Sequence, residues 1–182
     1  MSNSIAFEAT AVSLGLLVLR VVVGLSMAAH GSQKVFGWFG GYGLEGTGGF
    51  FDTLGFKPGK TFALMAGATE ILSGTLIALG LLGPVGPALM LSVMIVAALT
   101  VHLKNGFFAQ ANGVEVTVLF GVAAIALAFT GFGAFSIDAV TGLNTVFSAT
   151  EAAIALGLGV IGAVGNLLLR RPQPVTTSAA TR

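Results

Sequence analysis

The chain has 182 residues, 55% of them hydrophobic and only 8% charged, with a mean hydropathy of +0.97 and a net charge of +1. Soluble domains carry about 25% charged residues, so the composition excludes a water-soluble globule and points to an all-α, polytopic membrane helix bundle. There is no basic patch for nucleic acid, and the lack of cysteine excludes thiolate metal sites, iron–sulfur clusters and disulfide exchange carried by this chain.

The first residues, MSNSIAFEAT, lack the basic segment of a signal peptide, so the first apolar run is expected to stay as a helix. Runs long enough to span lipid are expected at 11–29, 61–82, 86–103, 114–132 and 147–169. That divides the chain into a four-helix membrane domain over 1–146, an additional transmembrane helix over 147–169 and a disordered cytoplasmic tail over 170–182. Lysine and arginine in loops set orientation. Lys34, Lys57 and Lys60 follow the first span, Lys104 follows the third, and Arg170, Arg171 and Arg182 follow the fifth. Five spans put all of these on one side, with the N-terminus out and the C-terminus in, in the cytoplasmic membrane.

A loop of about 30 residues follows the first span, and loops that long are usually functional or disordered. Trp38, Phe39, Tyr42, Phe50, Phe51 and Phe56 argue for order at the inner headgroup level, with a short helix near 48–54. Gly41-Tyr42-Gly43-Leu44-Glu45-Gly46 matches the dinucleotide pattern G-x-G-x-x-G in form only, because no strand precedes it. Ala63/Gly67, Gly74/Ala78 and Ala155/Gly159/Ala163 are four apart and make small-residue faces. Such faces serve bundle packing or a homo-oligomer contact.

Arg20 and Glu70 lie about ten residues into their spans, near the midplane, and opposite charges at one depth suggest an ion pair. The pair either fixes helix register or holds a proton-accessible carboxylate beneath a ligand. His30, Lys34, His102, Lys104 and Glu115 fall together at the inner boundary. Two imidazoles and a carboxylate there could exchange protons with a lipid-soluble quinone. His30, Glu70, His102 and Glu115 are therefore the candidate catalytic residues, and Arg20, Lys34 and Trp38 the candidate substrate-binding ones. Two histidines at one depth could also ligate haem iron, but nothing else in the sequence speaks for haem, and no metal site is expected. Asp52, Asp138 and Glu151 read as ordinary carboxylates.

These residues carry a resemblance to the DoxX family. The series runs Arg20, Gly24, His30-Gly31, Lys34, Gly37-Trp38-Phe39-Gly40-Gly41 and Gly46-Thr47. It continues with Ala66-Gly67-Ala68-Thr69-Glu70, Gly74, His102, Asn105-Gly106-Phe107-Phe108 and Gly113-Val114-Glu115. Phe129-Thr130-Gly131 and Ser136-Ile137-Asp138 complete it, so the resemblance covers about residues 10–140. It implies a small membrane bundle, usually of four spans, often named as an oxidoreductase and related to a membrane subunit of thiosulfate:quinone oxidoreductase. The helix at 147–169 departs from that pattern. With no evident redox carrier of its own, the chain is expected to present a quinone site to a soluble redox partner. The alternatives are a membrane anchor or assembly subunit, and a small-solute or proton pathway. A reporter fused after Arg182 should be active in the cytoplasm; activity on the opposite side would remove the fifth span or reverse the orientation.

Overall fold

The computed structural model describes residues 2–171, and these form an all-α bundle. Its helices are α1 (Ser2–Val35), α2 (Gly43–Thr53), α3 (Gly59–Leu79), α4 (Val85–Ala97), α5 (Glu115–Thr130), α6 (Ile137–Thr141) and α7 (Ala149–Leu168). Four stretches are long and apolar enough to cross a membrane: Phe7–Val35, Gly59–Leu79, Val85–Asn105 and Ala149–Leu168. The chain is a multi-pass membrane protein. α5 has 16 residues and is about 24 Å long, shorter than the other four. It still runs the length of the bundle. At one end Val114 N donates to Gly106 O (3.0 Å) and Glu115 N to Phe107 O (2.8 Å). Beyond the other end, Asp138 N donates to Gly80 O (3.0 Å), past the far end of α3.

Apolar residues lie on the outside as well as the inside. Leu14, Val18, Val22 and Leu25 of α1 are exposed, as are Leu119, Val122 and Ile125 of α5 and Ile154, Leu158 and Ile161 of α7. They recur every three or four residues, which is one helix face. In water such faces would be a liability, and in lipid they are the solvent-facing surface. Inside, Met27, Ile77, Met90, Met94, Ala124, Leu127 and Phe132 pack as one cluster.

α1 outruns the expected span at both ends. It continues through His30 and Lys34, and Ser32 returns its hydroxyl to the Ala28 carbonyl (2.8 Å) instead of breaking the helix. His30 therefore lies more than a turn inside α1 rather than at its end. The expected short helix near 48–54 is α2, beginning a turn earlier. α4 runs on through a π-helical turn, Ala98–His102, and a 3₁₀ turn, Leu103–Asn105. The expected tail mostly lies outside the described residues, but its first two are tied down. Arg170 Nε donates to Leu54 O (2.6 Å) and Arg171 N to Gly55 O (2.8 Å).

The small-residue faces meet other helices of the bundle at close range. A Cβ on Gly24 would lie 2.5 Å from Ala78 N and Gly74 O, one on Gly31 2.4 Å from Gly67 O, and one on Gly159 2.5 Å from Ala88 O. Glycine is thus required where α1 meets α3 and where α7 meets α4. Gly24→Ala should destabilise the bundle by about 1–3 kcal/mol through overpacking. Gly15→Ala, with nothing within 4 Å of the new methyl, should be neutral or gain up to about 1 kcal/mol from helix propensity. Thermal unfolding in detergent compares the two, and equal losses would refute the close-approach account.

Candidate functional site

The α1–α3 glycine contacts set Gly24 beside Ala78 and Gly31 beside Ile71. The two helices are antiparallel, and this register puts Arg20 level with Gly80, not with Glu70. Ten residues of α3 separate those levels, about 15 Å along the axis. The expected Arg20–Glu70 pair does not form. Counting inward from span ends had assumed that the two helices start flush, whereas α1 projects past the C-terminal end of α3.

Arg20, 2% exposed, donates to the carbonyls of Ala78 and Phe135. Ala78 lies in the last turn of α3, where carbonyls lack helical partners and carry the negative end of the dipole. A cation there neutralises that end and pins the α5–α6 connection to it. Asp138 completes this junction. Its carboxylate accepts from Leu82 N (2.9 Å) and Gly83 N (2.7 Å), and it is 2% exposed. It is thus a buried staple rather than an ordinary loop carboxylate. Glu151 and Asp52 also serve local structure, Glu151 in a capping box with Ser148 and Asp52 by accepting from Gly59 N (2.9 Å).

Glu70 is paired with Lys34 instead. One carboxylate oxygen receives the ammonium group, and the other is buried without a partner. Glu70 lines a cavity of about 190 Å³ together with Met27, His30, Lys34, His102, Thr117 and Phe120. Three of the four candidate catalytic residues therefore share one cavity. His30 lies on its outward side, with its ring edge-on to Phe120 at 6.0 Å.

His102 closes the π-helical turn, and its Nδ1 is 2.9 Å from the Asn112 carbonyl. A carbonyl can only accept, so this bond places the proton on Nδ1 and leaves Nε2 of the neutral ring as an acceptor. Glu115 does not line the cavity. It accepts from Ala109 N (2.8 Å) and shapes the 103–114 loop. Trp38 is exposed at the same end and packs on Phe36 at 4.8 Å, as interfacial aromatics do.

A larger cavity of about 720 Å³ lies beside the small one and shares Lys34, Ala97 and His102 with it. Its walls come from the α1–α2 segment, α2, α3, α4 and α7, with Phe50, Phe56, Phe62, Met65, Val93 and Val96 among them. Gln33, Thr47, Thr69, Ser92, Asn112 and Asn166 add polar groups. Of these, the sequence singles out Thr47 and Thr69 only within the family resemblance and the others not at all, although Asn166 is the one polar side chain between Glu151 and Arg170. The two imidazoles meet at the small cavity, whose volume is below the roughly 300–1,000 Å³ of most ligand sites.

The charge pairing has a thermodynamic signature. In a double-mutant cycle Lys34→Met and Glu70→Gln should couple by about 0.5–3 kcal/mol, whereas Arg20→Met and Glu70→Gln should add within about 0.5 kcal/mol. Unfolding in detergent measures both cycles, and coupling of Arg20 to Glu70 would reverse the assignment.

Comparison with known proteins places the chain in a family. The family model described as DoxX matches residues 15–103, which carry Arg20, His30, Lys34, Glu70 and His102. A protein of Bacillus subtilis (strain 168), named "Putative oxidoreductase CatD", is 32% identical over 125 residues, 69% of this chain and 85% of that protein. No solved structure matches the chain. A matched segment that holds the charge pair and both histidines, and a relative covered over most of its length, identify this protein as a member of the DoxX family.

Proposed function

We propose that this chain is the membrane subunit of a quinone-linked redox system. It crosses the cell membrane five times, with the N-terminus outside, and presents a quinone and proton site at the inner face to a soluble redox enzyme. The observation that supports this best is the 720 Å³ cavity abutting the Lys34–Glu70 pair and His102. Its aromatic and aliphatic walls suit a quinone ring and the start of its tail, and its volume is within the usual range for ligand sites. The oxidoreductase name of the relative is in keeping with redox work.

Quinone reduction takes up two electrons and two protons. In this reading the partner enzyme supplies the electrons. His102, once charged, gives its Nε2 proton to one quinone oxygen, and the Lys34–Glu70 pair supplies the second through Lys34, which lines both cavities. Lys34 holds the Glu70 carboxylate in place and lowers the cost of burying it. Reversal of the same steps accepts protons from a quinol. His30 and Glu115 sit at the margin, His30 facing outward and Glu115 holding the loop. A proton path across the whole membrane is the weaker reading, because Met27, Ile77 and Met90 pack between the Glu70 and Arg20 levels.

His102→Ala and Glu70→Gln should each lower quinone turnover per assembled complex by at least tenfold, since positioned acid–base groups contribute about 10²–10⁴. Reduction of a soluble dye by the same complex should be unchanged, and Glu115→Gln should have a much smaller effect. Parental quinone turnover in both variants would leave a membrane anchor or assembly subunit as the better account.

A further inference from the structure

The larger cavity holds a set of hydrogen-bonding side chains that the bundle itself does not use. Ser32, Thr75, Thr100 and Thr130 return their hydroxyls to the carbonyl four residues earlier, the usual solution for such groups in an apolar helix. Thr47 of α2, Thr69 of α3, Ser92 of α4 and Asn166 of α7 line the cavity and do otherwise. Among the described residues their side chains make no hydrogen bond. None of the four polar groups is sealed in the bundle without a partner, as Arg20 Nε and Glu70 Oε2 are, so the four are open to the cavity and free to bond what enters it, and each comes from a different helix.

Asn166 and Ser92 belong together. α4 and α7 run parallel, with Gly159 against Ala88 and Gly162 against Ser92, whose Oγ would lie 3.5 Å from a Cβ there. Asn166 is one turn further along the same face of α7. The rest of α7 between Glu151 and Arg170 is apolar. Its end is held over the cavity by Arg170 on the Leu54 carbonyl. The position lies outside the segment shared with the family model, which ends at residue 103.

We infer that Asn166, with Ser92, is the head-group recognition element of the large cavity, so that α7 decides which quinone is accepted. The amide and hydroxyl donate to carbonyl or alkoxy oxygens of the ring. This rests on the quinone reading above, and the experiment separates the two. The parent protein, Asn166→Leu and Ser92→Ala are purified in lipid nanodiscs. Binding of decyl-ubiquinone, which carries two methoxy groups, and of menadione, which carries none, is titrated. Ligand-free melting is measured alongside.

Asn166→Leu should weaken decyl-ubiquinone binding about tenfold, the effect of one well-placed hydrogen bond, and menadione binding less. Ser92→Ala should show a smaller loss in the same direction. The ligand-free melting temperature of Asn166→Leu should equal or exceed that of the parent, because the amide makes no hydrogen bond within the bundle. Parental affinity of Asn166→Leu for both quinones would overturn the recognition role while leaving the quinone reading standing. Equal weakening toward both quinones would overturn the selective role, and a lowered ligand-free melting temperature would make Asn166 a structural residue and overturn it too. If the parent binds neither quinone, the quinone reading falls and the recognition role with it.

Discussion

The backbone-to-backbone contact of α1 and α3 at Gly24, Gly31, Gly67 and Gly74 is the constraint on which the other features depend. Lipid offers no hydrophobic drive for helices to associate, so packing must supply it, and small residues permit the closest packing. Once those glycines interlock, the register is discrete. A slip of one turn would drive side chains into backbone at several points together. That register delivers Lys34 to Glu70 and Arg20 to the last turn of α3. A contact made of hydrogen atoms and carbonyls thereby decides which charges meet.

Polar groups within the bundle fall into three kinds. Some serve helix ends, as with Asp138 and with Arg20, whose two terminal nitrogens are bonded while its Nε is not. Some are consumed by the helix's own carbonyls, as with Ser32 and Thr100. The third kind retains unused capacity: Glu70 through its second oxygen, His102 through Nε2, and the hydroxyls and amide around the large cavity. In lipid unmet hydrogen-bonding capacity is expensive, and apart from Arg20 Nε the groups that retain it gather around the two cavities.

Much of this was legible in the sequence. Hydropathy reports helix identity, because lipid demands it of every residue in a span. The gathering of His30, Lys34 and His102 at one depth follows from chain direction and span length. The partner of Glu70 was not legible. Depth counted from span ends carries an error of several residues, and a helix rises 1.5 Å with each. The error is largest for α1, whose polar ends, with Glu8 and Lys34, hide how far it continues. The role of Asp138 was hidden for another reason. Its partners are backbone N–H groups of a turn more than fifty residues away, and such partners have no identity in the sequence.

The length of α1 has its own effect on how the protein sits in a bilayer. Its apolar stretch has 29 residues and is about 43 Å long, against a hydrocarbon core of about 30 Å. Tilts of up to about 40° take up only part of that difference. The glycine contacts fix the half of α1 beside α3, so the surplus accumulates at the other end, where residues 7–12 are left uncovered by the bundle. A thicker membrane would wet more of those turns with lipid, and a thinner one would leave them standing in the headgroups. In either case the cavities at the opposite end would keep their depth, and α1 would absorb the mismatch on their behalf.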